Sequence, residues 1–294
     1  MLAKNERPDH PWLEMENKEL LRSAGLYKRD YQTGEEGYTL AAVLLLGKDE
    51  VIHDVLPHYK TDAILRRENI DRYDDRDEIR TNLIDGYDRL MAFVRKHLAD
   101  KFYQEGDQRV SLRDRIFREI VANMLLHREF TNAYPAKFVI KEEQVVAENW
   151  NRPHGNGKID PVQFSPYPNN PVIAKFFREI GRVEELGSGV RNTFKYSNIY
   201  VPGALPKFIE GDVFKTIIPL KKKSNQDLDL ERLGENEHNI LKLIAANSKI
   251  SIPLMANNIG ISTTSIENNI KKLKEKDILE RIGSARGGYW KIID

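Results

Sequence analysis

Between Ser262 and Glu275, Ile266, Ile270 and Leu273 fall at spacings of four and three, which buries one stripe of a helix. Thr264, Asn268 and Lys271 then face outward, flanked by Ser265 and Lys272. Short hydroxyls and an amide can hydrogen-bond base edges in the DNA major groove, while lysines hold phosphates. Nearby Glu267, Glu275, Asp277 and Glu280 dilute the positive field. The same surface therefore also suits protein contacts or dimerisation, with its lysines merely solvated.

A second set of residues lies further up the chain. Glu119 and Asn123 are four apart on a stretch that Ser111 can cap as a helix, so both side chains project from one face. Asn149 ends a strand-like run, and Gly187-Ser188-Gly189 opens another helix-like run. Taken singly, each has a bland reading. A Glu and an Asn four apart can be surface decoration, and Gly-x-Gly is often only a turn.

The elements that must position these residues can be read from caps and periodicity. After Gly234, Ile240, Leu243 and Ile244 mark one helix. Ser251 caps a second, with Pro253 tolerated in its first turn, and Gly260 makes the tight turn into the third, capped by Ser262. That order is a helix-turn-helix. Ile278–Ile282 and Tyr289–Ile293 then read as strands joined by a glycine-rich tip. Arg281, Arg286 and Lys291 on this hairpin are placed to contact the DNA backbone or minor groove. The whole segment resembles the winged-helix families of bacterial regulators.

Upstream, Leu83, Leu90, Phe93, Val94 and Leu98 argue for a long helix, and the helix capped by Ser111 carries Ile116, Ile120 and Met124 towards the core. Lys137–Ile140, Gln144–Ala147 and Val213–Leu220 read as strands, and Ile173–Ile180 as a helix stopped by Gly181. Tyr38–Gly47 is an apolar strand or the start of a buried helix. The charge-dense stretch Arg72–Glu78 reads as a solvated turn. Lys221–Glu231 is almost wholly charged or polar and reads as a linker.

In their order, the helix with Glu119 and Asn123, the strand ending at Asn149, Asn170-Pro171 and Glu185-Leu-Gly-Ser-Gly-Val190 resemble a degenerate GHKL ATP-binding domain. They are similar to predicted transcriptional regulators that pair such a domain with a winged helix, a family sometimes labelled RecG-related. The resemblance implies that Asn123 carries magnesium, that Glu119 can activate water, and that Gly187, Ser188 and Gly189 meet phosphate. Asn149 stands where that fold has an adenine-binding Asp, and its side-chain carbonyl can still accept from an amino group. Gly155-Asn-Gly157 lies beyond the usual glycine position, and no long glycine-rich lid precedes Gly187. The family usually begins with an AlbA-like, Schlafen-related domain, and the expectation is that this chain starts after it.

Composition sets the outer limits. Of 294 residues, 40% are hydrophobic and 31% charged, with a net charge of +1, so charge for DNA binding has to be local. The absence of cysteine excludes disulfides, thiolate zinc sites and cysteine nucleophiles. Met1–Glu16 lacks the apolar core of a signal peptide, and Leu40–Leu46 is far shorter than the about 20 residues that span a bilayer. Gly157-Lys158 is followed by Ile159, which excludes a P-loop and with it a helicase of that kind. His127 lies on the Glu119 helix and reads as a packing residue rather than a phospho-acceptor.

The expected fold class is α+β. A GHKL-like α/β sandwich spans residues 38–220, a polar linker 221–234 and a small winged-helix domain 235–294, with 1–37 a bridging segment. The expected function is a cytoplasmic, homodimeric, DNA-binding transcriptional regulator, with no membrane association and with ATP and Mg2+ as candidate cofactors. The alternative is an active GHKL-type ATPase with Glu119 as general base.

Overall fold

Two hydrophobic cores organise the chain, one in residues 1–222 and one in residues 223–294. The computed structural model describes residues 9–68, 71–153, 155, 157–160, 168–183, 188–221, 233–276, 278–283 and 287–293, without the side chain of Ser188. Most of the stretch read as a linker lies outside the described residues. No helix among the described residues is long and apolar enough to cross a membrane.

The first unit begins with a 3-10 turn at Pro11–Leu13, helix α1 (Asn17–Ser23) and a hairpin of β1 (Tyr27–Arg29) and β2 (Glu36–Tyr38). Helices α2 (Leu40–Leu46) and α3 (Asp49–Val55) follow. Residues 9–37 do more than bridge. Leu26 is fully buried, and the ring of Trp12 lies 5.5 Å from that of Phe176 in the common core. His10 accepts the Trp12 N–H at Nδ1, so its proton sits on Nε2, which donates to Glu179 at 2.8 Å. A few anchors with partners more than 160 residues away thus fix the segment. The Tyr38–Gly47 run resolves to helix, because Thr39 turns its hydroxyl to the Ala42 N–H as an N-cap.

β3 (Thr61–Arg66) and β4 (Asp75–Ile79) form the next hairpin. The charged stretch read as a turn therefore contains a strand. β4 lies at the sheet edge, where charged side chains discourage pairing with another chain. Arg76 reaches across to Asp62 (Nε–Oδ1 3.0 Å), and Ile79 supplies the buried anchor.

The long helix α4 (Leu83–His97) is capped by Asn82, which accepts from the Ile84 and Asp85 amides. After the small hairpin β5 (Gln104–Glu105) and β6 (Gln108–Arg109), Ser111 caps α5 (Leu112–Leu126) through the Asp114 N–H at 3.1 Å. Then come β7 (Ala136–Lys141), β8 (Gln144–Trp150), β9 (Gly157–Lys158), α6 (Pro171–Glu179), α7 (Ser188–Tyr200), β10 (Lys207–Glu210) and β11 (Val213–Pro219).

The seven-stranded sheet has the order β4-β3-β7-β8-β11-β10-β9. β3 and β7 run parallel and every other pair is antiparallel, so the sheet is mixed. Ala136, Phe138 and Ile140 of β7 are buried while Lys137, Val139 and Lys141 are more exposed, the alternation of a sheet covered on one face. Phe117 of α5 meets Phe138 edge-on at 6.1 Å and seats the helix on that covered face.

The second unit contains α8 (Glu235–Ala246), α9 (Ile252–Ile259), α10 (Thr263–Glu275) and a hairpin of β12 (Leu279–Ile282) and β13 (Tyr289–Ile292). Ser251 and Ser262 cap α9 and α10 through backbone amides three residues on. Gly260 takes φ +80°, a left-handed conformation that suits glycine and lets α9 end and α10 begin at once. Ile240, Met255, Ile266, Ile270, Leu273 and Trp290 close a small core.

Candidate functional site

With Ile266, Ile270 and Leu273 buried, α10 leaves Thr264, Asn268, Lys271 and Lys272 exposed. Thr263, which the sequence reading passed over because it adjoins the cap, is exposed one residue before Thr264. Ser265 is half-buried and differently employed. Its N–H donates to Ser262 Oγ at 3.2 Å and its own Oγ lies 2.9 Å from that of Ser262. Lys271 is only loosely held, 3.9 Å from Glu275 one turn on.

The hairpin holds its cations unequally. Arg281 is half-buried, with its guanidinium 4.6 Å from the centre of the Trp290 ring, and Lys274 from α10 lies 5.6 Å from the same ring. Trp290 is itself pinned, since Nε1 donates to the Ile250 carbonyl at 3.1 Å. Arg281 therefore braces the foot of the hairpin by cation–π contact. Lys291 is exposed opposite Glu280, and Tyr289 is exposed beside them. Arg286 lies outside the described residues.

In the first unit, Glu119 and Gly189 touch. A Cβ built on Gly189 would lie 2.9 Å from Glu119 Cδ and nearer still to Oε2. Asn123 is half-buried one turn further along α5. Asn149 is 2% exposed on β8, where its amide donates to the Trp150 carbonyl at 3.2 Å. The Glu129 N–H donates to that carbonyl too, at 2.9 Å, which ties the chain leaving α5 to the end of β8. Gly187 lies outside the described residues, as does the Ser188 side chain.

Around this region the structure shows hydrogen bonds and a buried cation that sequence patterns did not report. Asn170 stands at the start of α6, yet its amide donates to the carbonyls of Leu126 (2.9 Å) and Arg128 (2.7 Å) at the end of α5. Asn169 donates to His127 O at 3.0 Å and to Asn151 Oδ1 at 2.7 Å. Arg128 is fully buried, donates to Lys60 O at 2.9 Å and lies over the rings of Tyr59 and Phe130. Burial lowers the Arg128 pKa and pushes the Tyr59 hydroxyl up to about 12. Arg115, Arg118, Glu119, Arg182, Asn192 and Tyr196 line a hollow between α5 and α7. Among the described residues, no group of three or more His, Asp or Glu side chains is arranged to hold a metal ion.

Comparison with known proteins divides along the chain. Residues 233–280 match the family described as winged helix-turn-helix DNA-binding, and residues 1–62 match a domain of unknown function, DUF8451. A comparison with curated proteins gave no match. Among solved structures, the DIP2311 protein from Corynebacterium diphtheriae is similar, with a TM-score of 0.52 at 17% identity. The alignment covers 99% of this chain and 60% of that one, so the chain spans about three-fifths of its length, and the likeness is one of fold. The exposed face of α10, the hairpin behind it and the family match agree: the C-terminal region is a winged helix-turn-helix DNA-binding domain.

Proposed function

We propose that the protein is a transcriptional regulator that reads duplex DNA with α10. The observation that carries this reading is the exposed row of Thr264, Asn268, Lys271 and Lys272 opposite a fully buried stripe. Asn268 is the candidate base reader, while Lys271, Lys272 and the hairpin's Lys291 hold phosphates. Glu267, Glu275 and Glu280 keep the affinity of one domain modest, so the active species is a homodimer. Its half-sites would lie one helical turn apart, about 34–36 Å.

Selection from a random DNA pool, followed by anisotropy at several salt concentrations, tests this. Asn268→Ala removes about 1–3 kcal/mol of base discrimination at one position. Lys271→Ala with Lys272→Ala weakens binding to every sequence and lowers the salt slope by about 0.9 for each phosphate no longer neutralised. Equal binding by the parent and a variant that combines Asn268→Ala, Lys271→Ala and Lys272→Ala would rule out α10 as the reader and assign the domain to protein contacts.

A second reading concerns the first unit, taken as a GHKL-like domain that senses ATP with Mg2+. It is supported by the contact between Glu119 and Gly189, which joins α5 to the start of α7. Asn123 would give one oxygen to the metal, whose other ligands come from phosphates and water, and Asn149 with Gly187, Ser188 and Gly189 would hold the nucleotide. Calorimetric titration of ATP and Mg2+ separates the cases. Binding without hydrolysis supports a sensor, hydrolysis supports the ATPase alternative, and no heat reduces the unit to a scaffold.

A further inference from the structure

Several arginines of the first unit meet a carboxylate: Arg22 meets Glu36, Arg76 meets Asp62, Arg95 meets Asp114 and Arg182 meets Asp88. In the winged helix two cations do not. Lys274 of α10 and Arg281 of β12 both lie against the ring of Trp290, 5.6 and 4.6 Å from its centre. Among the described residues neither forms an ion pair, and Arg281 donates no hydrogen bond.

The hairpin register places the arginine. Arg281 pairs with Trp290 and Leu279 with Ile292, so these four side chains share one face of the hairpin. Leu279 and Trp290 are buried on it, which makes it the face turned to the helices. Glu280 pairs with Lys291 on the other face, so the acid nearest Arg281 in sequence is turned away. On α10, Lys274 follows buried Leu273 and stands four residues after buried Ile270. It therefore lies on the flank of the helix, between the buried stripe and the outward row of Thr264, Asn268 and Lys271. Its contact with Trp290 identifies that flank as the one beside the hairpin. Glu267 lies two turns earlier on the same flank and forms no ion pair with Lys274. The two cations thus enter the notch between α10 and the hairpin from its two walls.

Two like charges beside one ring repel each other, and an anion in the notch relieves that repulsion. A ring face attracts a cation without accepting its N–H groups as a carboxylate would, so the donors stay available. The ring also orders the guanidinium before any ligand arrives, so less freedom is lost on binding. With its side chains a helix is about 10–12 Å across, and the major groove is about 12 Å wide. A helix lying in the groove therefore turns its flanks to the phosphate walls.

We propose that Lys274 and Arg281, held ready by Trp290, seat the phosphate backbone of the DNA strand that runs between α10 and the hairpin. The seat rests on α10 lying in the major groove, as argued above, and adds a second line of cations beside its outward row. Trp290 is a positioning residue that acts through Arg281 and Lys274.

The test uses the full chain and the duplex selected from the random pool. Lys274→Met and Arg281→Met keep a stem to pack on the ring and remove the charge, and thermal melts check that both fold. Each should lower the salt slope of binding by about 0.9, and the double variant by about twice that. Affinity should fall about five- to tenfold per contact at about 0.1 M salt, equally for selected and unselected duplexes, and the difference should vanish near 1 M. Arg281→Lys keeps the charge but not the planar fork, so it should keep the parent's slope and bind about two- to fivefold more weakly. An unchanged slope in the folded double variant overturns the seat. If Lys271→Ala with Lys272→Ala still lowers the slope, the α10 reading stands without it. No DNA binding by the parent overturns both. Lost preference for the selected sequence at an unchanged slope would make these cations base readers and overturn the phosphate assignment. Parent affinity in Arg281→Lys would overturn the positioning role of Trp290.

Discussion

On α10, Thr264, Asn268, Lys271 and Lys272 stand in solvent while the opposite side of the helix is buried. At the end of α5, by contrast, Arg128 is enclosed and Asn169 and Asn170 turn their amides onto helix carbonyls. The two regions hold similar residue types, amides and long cations, in opposite roles. Where a polar side chain has its hydrogen bonds inside the fold, its removal is felt as lost stability. Where it stands in water, removal is felt only when a partner arrives. The difference lies in local burial, which spacing reported on α10 and did not report at the end of α5.

The sharpest way to break this contrast is Arg128→Ala. The substitution empties a fully buried site and leaves the Lys60 carbonyl without its donor. Truncation of so large a buried side chain costs about 3–5 kcal/mol, by analogy with core Phe or Trp to Ala changes. Scanning calorimetry should show the transition of the first unit falling steeply and that of the winged helix unmoved. A loss below about 1 kcal/mol, the size of a surface change, would mean that Arg128 is not a structural cation.

A smaller effect separates two serines on α10. Ser262 caps the helix and Ser265 leans back on that cap, although the sequence grouped Ser265 with the DNA-facing residues. Ser262→Ala should cost the winged helix about 1 kcal/mol. Ser265→Ala should lower its stability by less and leave base preference unchanged, whereas Thr264→Ala should alter DNA binding without altering stability. Thermal melts with and without the selected DNA measure both. Altered sequence preference in Ser265→Ala would return that residue to the reading face.

The winged helix was legible because its signals are local: two serine caps, the left-handed Gly260 between helices and an apolar stripe within sixty residues. The first unit was legible only where the same held, as at Ser111 and α5. β4 was hidden because an edge strand needs few apolar residues, and its charges find partners on neighbouring elements, Arg76 with Asp62 and Arg89 with Asp77. Residues 9–37 were hidden because their anchors, Trp12 on Phe176 and His10 on Glu179, join positions remote in sequence. α2 was ambiguous because seven nearly continuous apolar residues suit a buried strand or a helix equally. Of the candidate site, spacing suggested that Glu119 and Asn123 share a face. The contact with Gly189 and the arginines nearby depend on how α5 and α7 cross, which periodicity does not report.

The smallest expected effect lies on the charged edge strand. Asp75 accepts from Lys96 Nζ at 2.7 Å and from His97 Nε2 at 2.7 Å. The Lys96 hydrogen bond, then that of His97, lowers its pKa below the ordinary carboxylate value of 3.8. A carboxyl whose folded pKa is depressed binds its proton more readily in the unfolded chain. Its stabilising contribution is therefore complete above the unfolded pKa and is lost as pH falls through the folded one. From pH 5 down to pH 3 the melting temperature of the first unit should fall more steeply in the parent than in Asp75→Asn, which has no carboxyl to protonate there. The carboxylate is partly exposed and its Lys96 partner mostly so, so the difference should be slight at physiological salt and should shrink at about 1 M salt, where the screening length is about 3 Å. The winged-helix transition should not distinguish the two proteins at any pH. Identical acid limbs for the first unit in low salt would show that these edge charges are solvated ornaments. A difference that survives high salt would place Asp75 among the enclosed polar groups, with Arg128.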